Sequence, residues 1–156
     1  MRNLHELQIK TAVEAVASRK EVNEVYFVAC GGSQAVLMAG KYLFDKESSV
    51  PSHVYTANEF VYDTPKNLCE KSVVISCSHS GNTPETVAAT KLARSKGAIT
   101  ICLSNLEGSP LWEAAEYPVH YDWGKDVSDS DKNKGILYGL LFKLLGVLAA
   151  DAKWDI

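Results

Sequence analysis

Residues Ser78–Thr83 read SHSGNT and run directly into Pro84, Glu85 and Thr86. The hydroxyls of Ser78, Ser80 and Thr83 crowd together with Gly81 and Asn82 between an apolar run and an amphipathic pattern. Such a turn can hold an anion. Pro84 suits the first helical position, where a missing N–H costs nothing, and Thr83 then falls at the N-cap. Unpaired N–H groups and the positive end of the helix dipole draw negative charge to that point. The hydroxyls add donors without adding charge, and Gly81 permits a backbone turn closed to other residues. Capping alone would need one hydroxyl or two. The stretch is neither GxGxxG nor GxxxxGK[ST] and has no P-loop lysine. It therefore favours the monophosphate of a small molecule over a nucleoside triphosphate.

A second polar turn, CGGSQ at Cys30–Gln34, also follows an apolar run. Gly31 and Gly32 let backbone approach a ligand, and Ser33 suits the cap of the next helix. Alone this is as well read as an ordinary strand-to-helix turn; beside SHSGNT it forms the opposite wall of one pocket. Three residues could move protons. His79 titrates near neutrality and could act at a sugar, or could simply donate a hydrogen bond. Glu85 sits in a first helical turn, where it complements the dipole or reaches a substrate hydroxyl. Glu59 is a surface acid or a substrate-facing one. His5, His53 and His120 match no metal spacing, so neither a metal nor a cofactor is expected. The cysteines Cys30, Cys69, Cys77 and Cys102 form no CxxC pair and read as reduced, mostly core residues.

These turns need a frame. Apolar runs at Glu24–Cys30, Ser52–Ala57, Ser72–Ser78 and Ala98–Ser104 predict four strands. A fifth at Tyr117–Tyr121 is broken by Pro118, which suits a sheet edge. Helical spacing recurs at Ile9, Ala12, Val13 and Val16, at Ala35, Val36, Ala39 and Leu43, and at Val87, Ala88 and Leu92, where Gly97 ends the helix. A short helix follows Pro110, and a last one runs from near Lys132 to about Asp151. The alternation predicts one α/β domain over residues 1–156, with a parallel sheet covered on both faces. Both polar turns then lie at the carboxyl edge, where such sheets bind ligands. The last helix is apolar nearly all round, so its second face needs a twin subunit or another domain. The chain has 156 residues and a net charge of −3, with no basic run. These features exclude a phosphate-gripping nucleic-acid surface and a polybasic membrane patch. No stretch has the length of a membrane span, and the polar N-terminus is no secretory signal, which together predict a cytoplasmic protein.

The pair FVACGGSQAV and SCSHSGNTPET, with YTANEF and YDWG, resembles the SIS (sugar isomerase) domain family. It is similar in detail to the N-terminal half of fructosamine-6-phosphate deglycases. The resemblance implies a three-layer αβα sandwich with a flavodoxin-like sheet of about five strands. It implies that Ser78, Ser80 and Thr83 hold a phosphate, with His79, Gly81 and Asn82 in the same loop. Gly32 and Ser33 then line the sugar phosphate, and Glu59 occupies a position where relatives often carry an acid. The loop Lys125–Gly135 would approach the sugar through Val127, Ser128 and Lys134, although a solvated loop explains it equally. The family usually forms dimers, and its deglycases carry a second SIS domain with a catalytic GE…HGP stretch. These 156 residues contain no such stretch. The expected function is phosphosugar binding within a hydrolase or isomerase acting on ketosamine 6-phosphates, by metal-free acid–base chemistry. A non-catalytic sugar-phosphate sensor is the alternative, and a flavodoxin-like module with another anionic ligand a weaker one.

Overall fold

Near-continuous apolar runs give strands that must be covered on both sides, and the chain alternates them with helices accordingly. The computed structural model describes residues 4–121 and 130–151. In chain order the elements are α1 (Leu4–Ala17), β1 (Val25–Ala29), α2 (Gly31–Glu47), β2 (Ser52–Thr56), α3 (Ala57–Tyr62), β3 (Val73–Cys77), α4 (Pro84–Ser95), β4 (Ile99–Ser104), α5 (Pro110–Ala114), β5 (Tyr117–His120) and α6 (Ser130–Asp151). All strand pairs are parallel, in the order β2-β1-β3-β4-β5. The central β1, β3 and β4 are buried throughout, and the edges β2 and β5 only in part. Pro118 lies on edge strand β5, as expected.

Side chains alternate between the two faces of the sheet. Phe27, Ala29, Ile75, Ile101 and Leu103 pack with α1, α2 and α6 around Phe44, Leu141 and Leu145. Tyr26, Val28 and Val74 pack with α3 and α4 around Phe60 and Ala89, and Cys102 meets α5 at Leu111. The three-layer αβα sandwich of the sequence reading is therefore the observed fold. Strands β1 and β3 each lose one predicted residue at either end, and β2, β4 and β5 lose Ala57, Ala98 and Tyr121, while the last helix starts at Ser130 rather than near Lys132. Helix α3 has no counterpart in the sequence reading. It begins where Thr56 Oγ1 accepts the Glu59 N–H at 3.4 Å.

The order of strands reverses at β1, since the chain moves from β1 outward to β2 and then returns to β3 on the other side. Ala29 is level with both Thr56 and Cys77. The turns after β1 and β3 consequently emerge side by side at the switch point. Helix α2 leads away on one face and α4 on the other.

Candidate functional site

Ser78 continues the direction of β3, with its N–H donating to Leu103 O at 3.1 Å. Its buried hydroxyl lies 2.9 Å from Thr83 Oγ1 and accepts the Gly81 N–H at 3.2 Å. Ser80 Oγ accepts the Asn82 N–H at 3.2 Å. The β4–α5 connection braces the turn from outside: Asn105 N–H donates to His79 O at 3.1 Å and Leu111 N–H to Gly81 O at 2.9 Å. Gly81 has φ +68°, and a Cβ there would stand 1.9 Å from Ser109 Oγ. Glycine is thus required twice, once for the left-handed backbone and once for the close approach.

Thr83 is the N-cap residue and Pro84 the first helical residue, as expected, but the Thr83 side chain makes no cap bond. Its hydroxyl is turned to Ser78 instead. The first-turn amides of α4 have no intrahelical acceptor by position. Ser80 and Asn82 are exposed and Thr83 is half-buried. The turn therefore presents hydroxyls and amides outward on a rigid frame, the arrangement that receives an oxyanion.

The turn after β1 departs from expectation. Ser33 is not the cap of α2: Cys30 holds that position and Gly31 is already helical, with φ +56°. With the left-handed glycine at its first position, the helix starts three residues earlier than a Ser33 cap would allow. Ser33 instead sits in the first helical turn. Burial pushes the Cys77 thiol up to about 12, against a smaller opposite pull from Ser33. At Gly31 and Gly32 a Cβ would meet nothing within 4 Å among the described residues.

Gly32, Ser33 and His79 line one cavity of about 410 Å³, together with Cys30, Val36, Tyr121 and Tyr138. His79 Nδ1 is 2.8 Å from Tyr121 Oη. Partial burial holds the imidazole below its ordinary pKa, and burial followed by the neighbouring Cys77 pushes the Tyr121 phenol up. Burial thus favours the neutral form of both groups. Ser78, Ser80, Gly81, Asn82 and Thr83 stand in the turn beside the cavity, joined to it through His79. Glu59 and Glu85 lie in the first turns of α3 and α4 and do not line it. Val127 and Ser128 fall outside the described residues. Lys134 falls on α6, of which only the backbone is described there. Sequence reasoning missed Tyr121 and Tyr138. Tyr121 had a usable signal, because the residue after β5 must reach the same carboxyl edge.

A larger opening of about 600 Å³ lies between α2 and α6, lined by Ala39, Tyr42, Leu43 and Phe142. Its apolar walls do not suit a phosphate. Among the described residues, no cluster of His, Cys, Asp and Glu could hold a metal, and no helix is long and apolar enough to cross a membrane.

Residues 20–142 match the SIS domain. The chain belongs to the SIS domain family. This SIS domain is 49% identical over 137 residues to the fructosamine deglycase FrlB of Bacillus subtilis (strain 168), covering 87% of the chain and 42% of that protein. It is 30% identical over 117 residues to the fructoselysine 6-phosphate deglycase of Escherichia coli (strain K12), covering 75% of the chain and 34% of the relative. It superposes on a crystal structure of a candidate phosphosugar isomerase from Bacillus subtilis with a TM-score of 0.78 and 45% identity, over 91% of this chain and 43% of that one. The chain spans less than half the length of these relatives.

Proposed function

We propose that this SIS domain binds the phosphoryl group of a ketosamine 6-phosphate or related sugar phosphate, as part of a deglycase or phosphosugar isomerase. The observation that carries this reading is the braced Ser78–Thr83 turn at the switch point, opening onto a cavity it shares through His79. The phosphate would rest on Ser80, Thr83, Asn82 and backbone amides of the turn, with Ser78 holding the frame behind them. Gly32 and Ser33 would form the facing wall. Among the described residues no lysine or arginine lines the cavity, and from these residues neutralisation would come from dipoles and hydroxyls. The half of the ligand beyond the phosphate would lie against His79 and the apolar wall of Val36 and Tyr138. The protein would work in the cytoplasm, on a substrate that carries its own charge.

A reading as a binding or sensing domain without catalysis has one observation in its favour: among the described residues no carboxylate lines the cavity. Ring opening and proton transfer beside a carbonyl need a general acid and base. In the catalytic reading that group would come from a second SIS domain or a second copy, with His79, Glu59 and Glu85 as the local candidates. Calorimetric titration with fructoselysine 6-phosphate and with unphosphorylated fructoselysine tests the phosphate site. The phosphorylated compound should bind and the other should not. Ser80→Ala and Thr83→Ala should each weaken binding by about 1–3 kcal/mol, the scale of a lost bond to a charged group. Parent-like affinity in both variants would refute the assignment of the turn. Release of free amine from the phosphorylated compound then separates enzyme from sensor.

A further inference from the structure

We propose that Tyr121 is a positioning residue: its phenol orients the ring of His79 and fixes its proton on Nε2, so that His79 serves the cavity as a neutral, directed donor. The ligand half of this inference rests on the phosphosugar reading above; the Tyr121–His79 half does not.

Tyr121 follows the edge strand β5, yet its side chain is fully buried. Its backbone is tied to the end of β4. The N–H donates to Ser104 O at 3.3 Å, and the carbonyl accepts Asn105 Nδ2 at 2.9 Å. Asn105 also gives its own N–H to His79 O. One residue therefore holds both partners of the pair in register. Between Tyr121 and His79 the rings are 5.7 Å apart and tilted by 41°, so the directed contact is the 2.8 Å hydrogen bond between Oη and Nδ1. His79 itself stands in an exposed turn, and an imidazole has two neutral tautomers between which its partners choose. A phenol that donates to Nδ1 leaves the proton on Nε2, because the partner of one ring nitrogen sets the state of the other. The two rings line the same cavity. An oriented neutral N–H matches the uncharged donors of the Ser78–Thr83 turn. The bland account, a buried tyrosine that needs some partner for its hydroxyl, predicts no effect on the ligand.

Long-range ¹⁵N–¹H NMR of the ligand-free protein reads the tautomer, and titration with fructose 6-phosphate reads the affinity. The parent should carry its His79 proton on Nε2. Tyr121→Phe removes only the hydroxyl, and should mix the tautomers and raise Kd about 3–10-fold, the worth of one ordinary hydrogen bond. In a His79→Ala background the same change should leave Kd unaltered. A parent with the proton on Nδ1 overturns the proposal before any variant is made, and so does a Tyr121→Phe protein with unaltered tautomer and Kd. A parent that keeps the Nε2 tautomer but ignores fructose 6-phosphate, fructoselysine 6-phosphate and inorganic phosphate overturns the phosphosugar reading and leaves the pair standing.

Discussion

At Gly81 two demands meet in one residue. The backbone is left-handed, and the place of a side chain is taken by Ser109, the cap of α5. Gly81→Ala should therefore lower stability by roughly 2–5 kcal/mol, from left-handed strain and overpacking together. Urea unfolding measures the loss, and a change below 0.5 kcal/mol, about the size of an ordinary surface substitution, would contradict the packing described. The glycine and the hydroxyls around it were legible in the sequence because turn chemistry is local. The division of labour among the hydroxyls was not. Ser78 faces inward to Thr83 and Gly81, whereas Ser80 faces solvent, and two serines with one residue between them give no sequence sign of which turns inward. Ser33 was misplaced as a cap for a related reason. A left-handed glycine can begin a helix early, and φ is not written in the letters GGS.

At the scale of elements, α2 and α6 approach through Gly40, where a Cβ would meet Leu141 Cδ2 at 2.9 Å and Leu145 Cδ1 at 3.0 Å. Both neighbours are tips of flexible side chains. Gly40→Ala should come out near neutral, because the gain in helix propensity offsets the crowding. Gly40→Val should cost about 1–3 kcal/mol, readable as a lower urea midpoint. Equal effects from the two substitutions would mean that the helices are not in contact there. The strands were legible because parallel, doubly covered strands are written as apolar runs. Helix α3 was overlooked although Thr56-Ala57-Asn58-Glu59 has the S/T-x-x-E spacing of a helix start. Its apolar face is short, and only Ala57 and Phe60 are buried, so periodicity gave no warning.

For the molecule as a whole, acid should weaken the fold through the β1–β2 flank. Burial would raise the Glu24 carboxyl, but hydrogen bonds from Tyr26 and Asn67 and the nearby His53 outweigh it and hold the group below the ordinary glutamate range. Asp45 behaves alike, with Lys41 and Ser52 overcoming the burial. A carboxylate with a depressed folded-state pKa contributes stability above its unfolded value and loses it as pH falls through the folded one. Stability should thus drop below about pH 4.5, near the unfolded carboxylate range, and Glu24→Gln should flatten that slope in unfolding measured across pH. The open side of the α2–α6 layer makes a separate prediction. Met38, Tyr42 and Phe142 are 57%, 67% and 41% exposed around the apolar opening. Leu137, Leu141, Leu144, Leu145 and Leu148 of α6 are buried within the chain, and the exposed remainder is where a twin subunit or second domain is predicted to dock. Sedimentation should show self-association that Phe142→Lys abolishes; a monomer at high concentration would remove the twin. The parallel sheet with helices on both faces followed from alternation alone, whereas the order β2-β1-β3-β4-β5 had no sign in it. The partner could not follow from it, because an apolar face names no occupant.

The turns after β1 and β3 feed helices on opposite faces of the sheet, so whatever lodges between them touches both halves of the sandwich. Such a guest acts as a rivet. Amides of α2 and of α4 should slow their hydrogen exchange in step when it is bound.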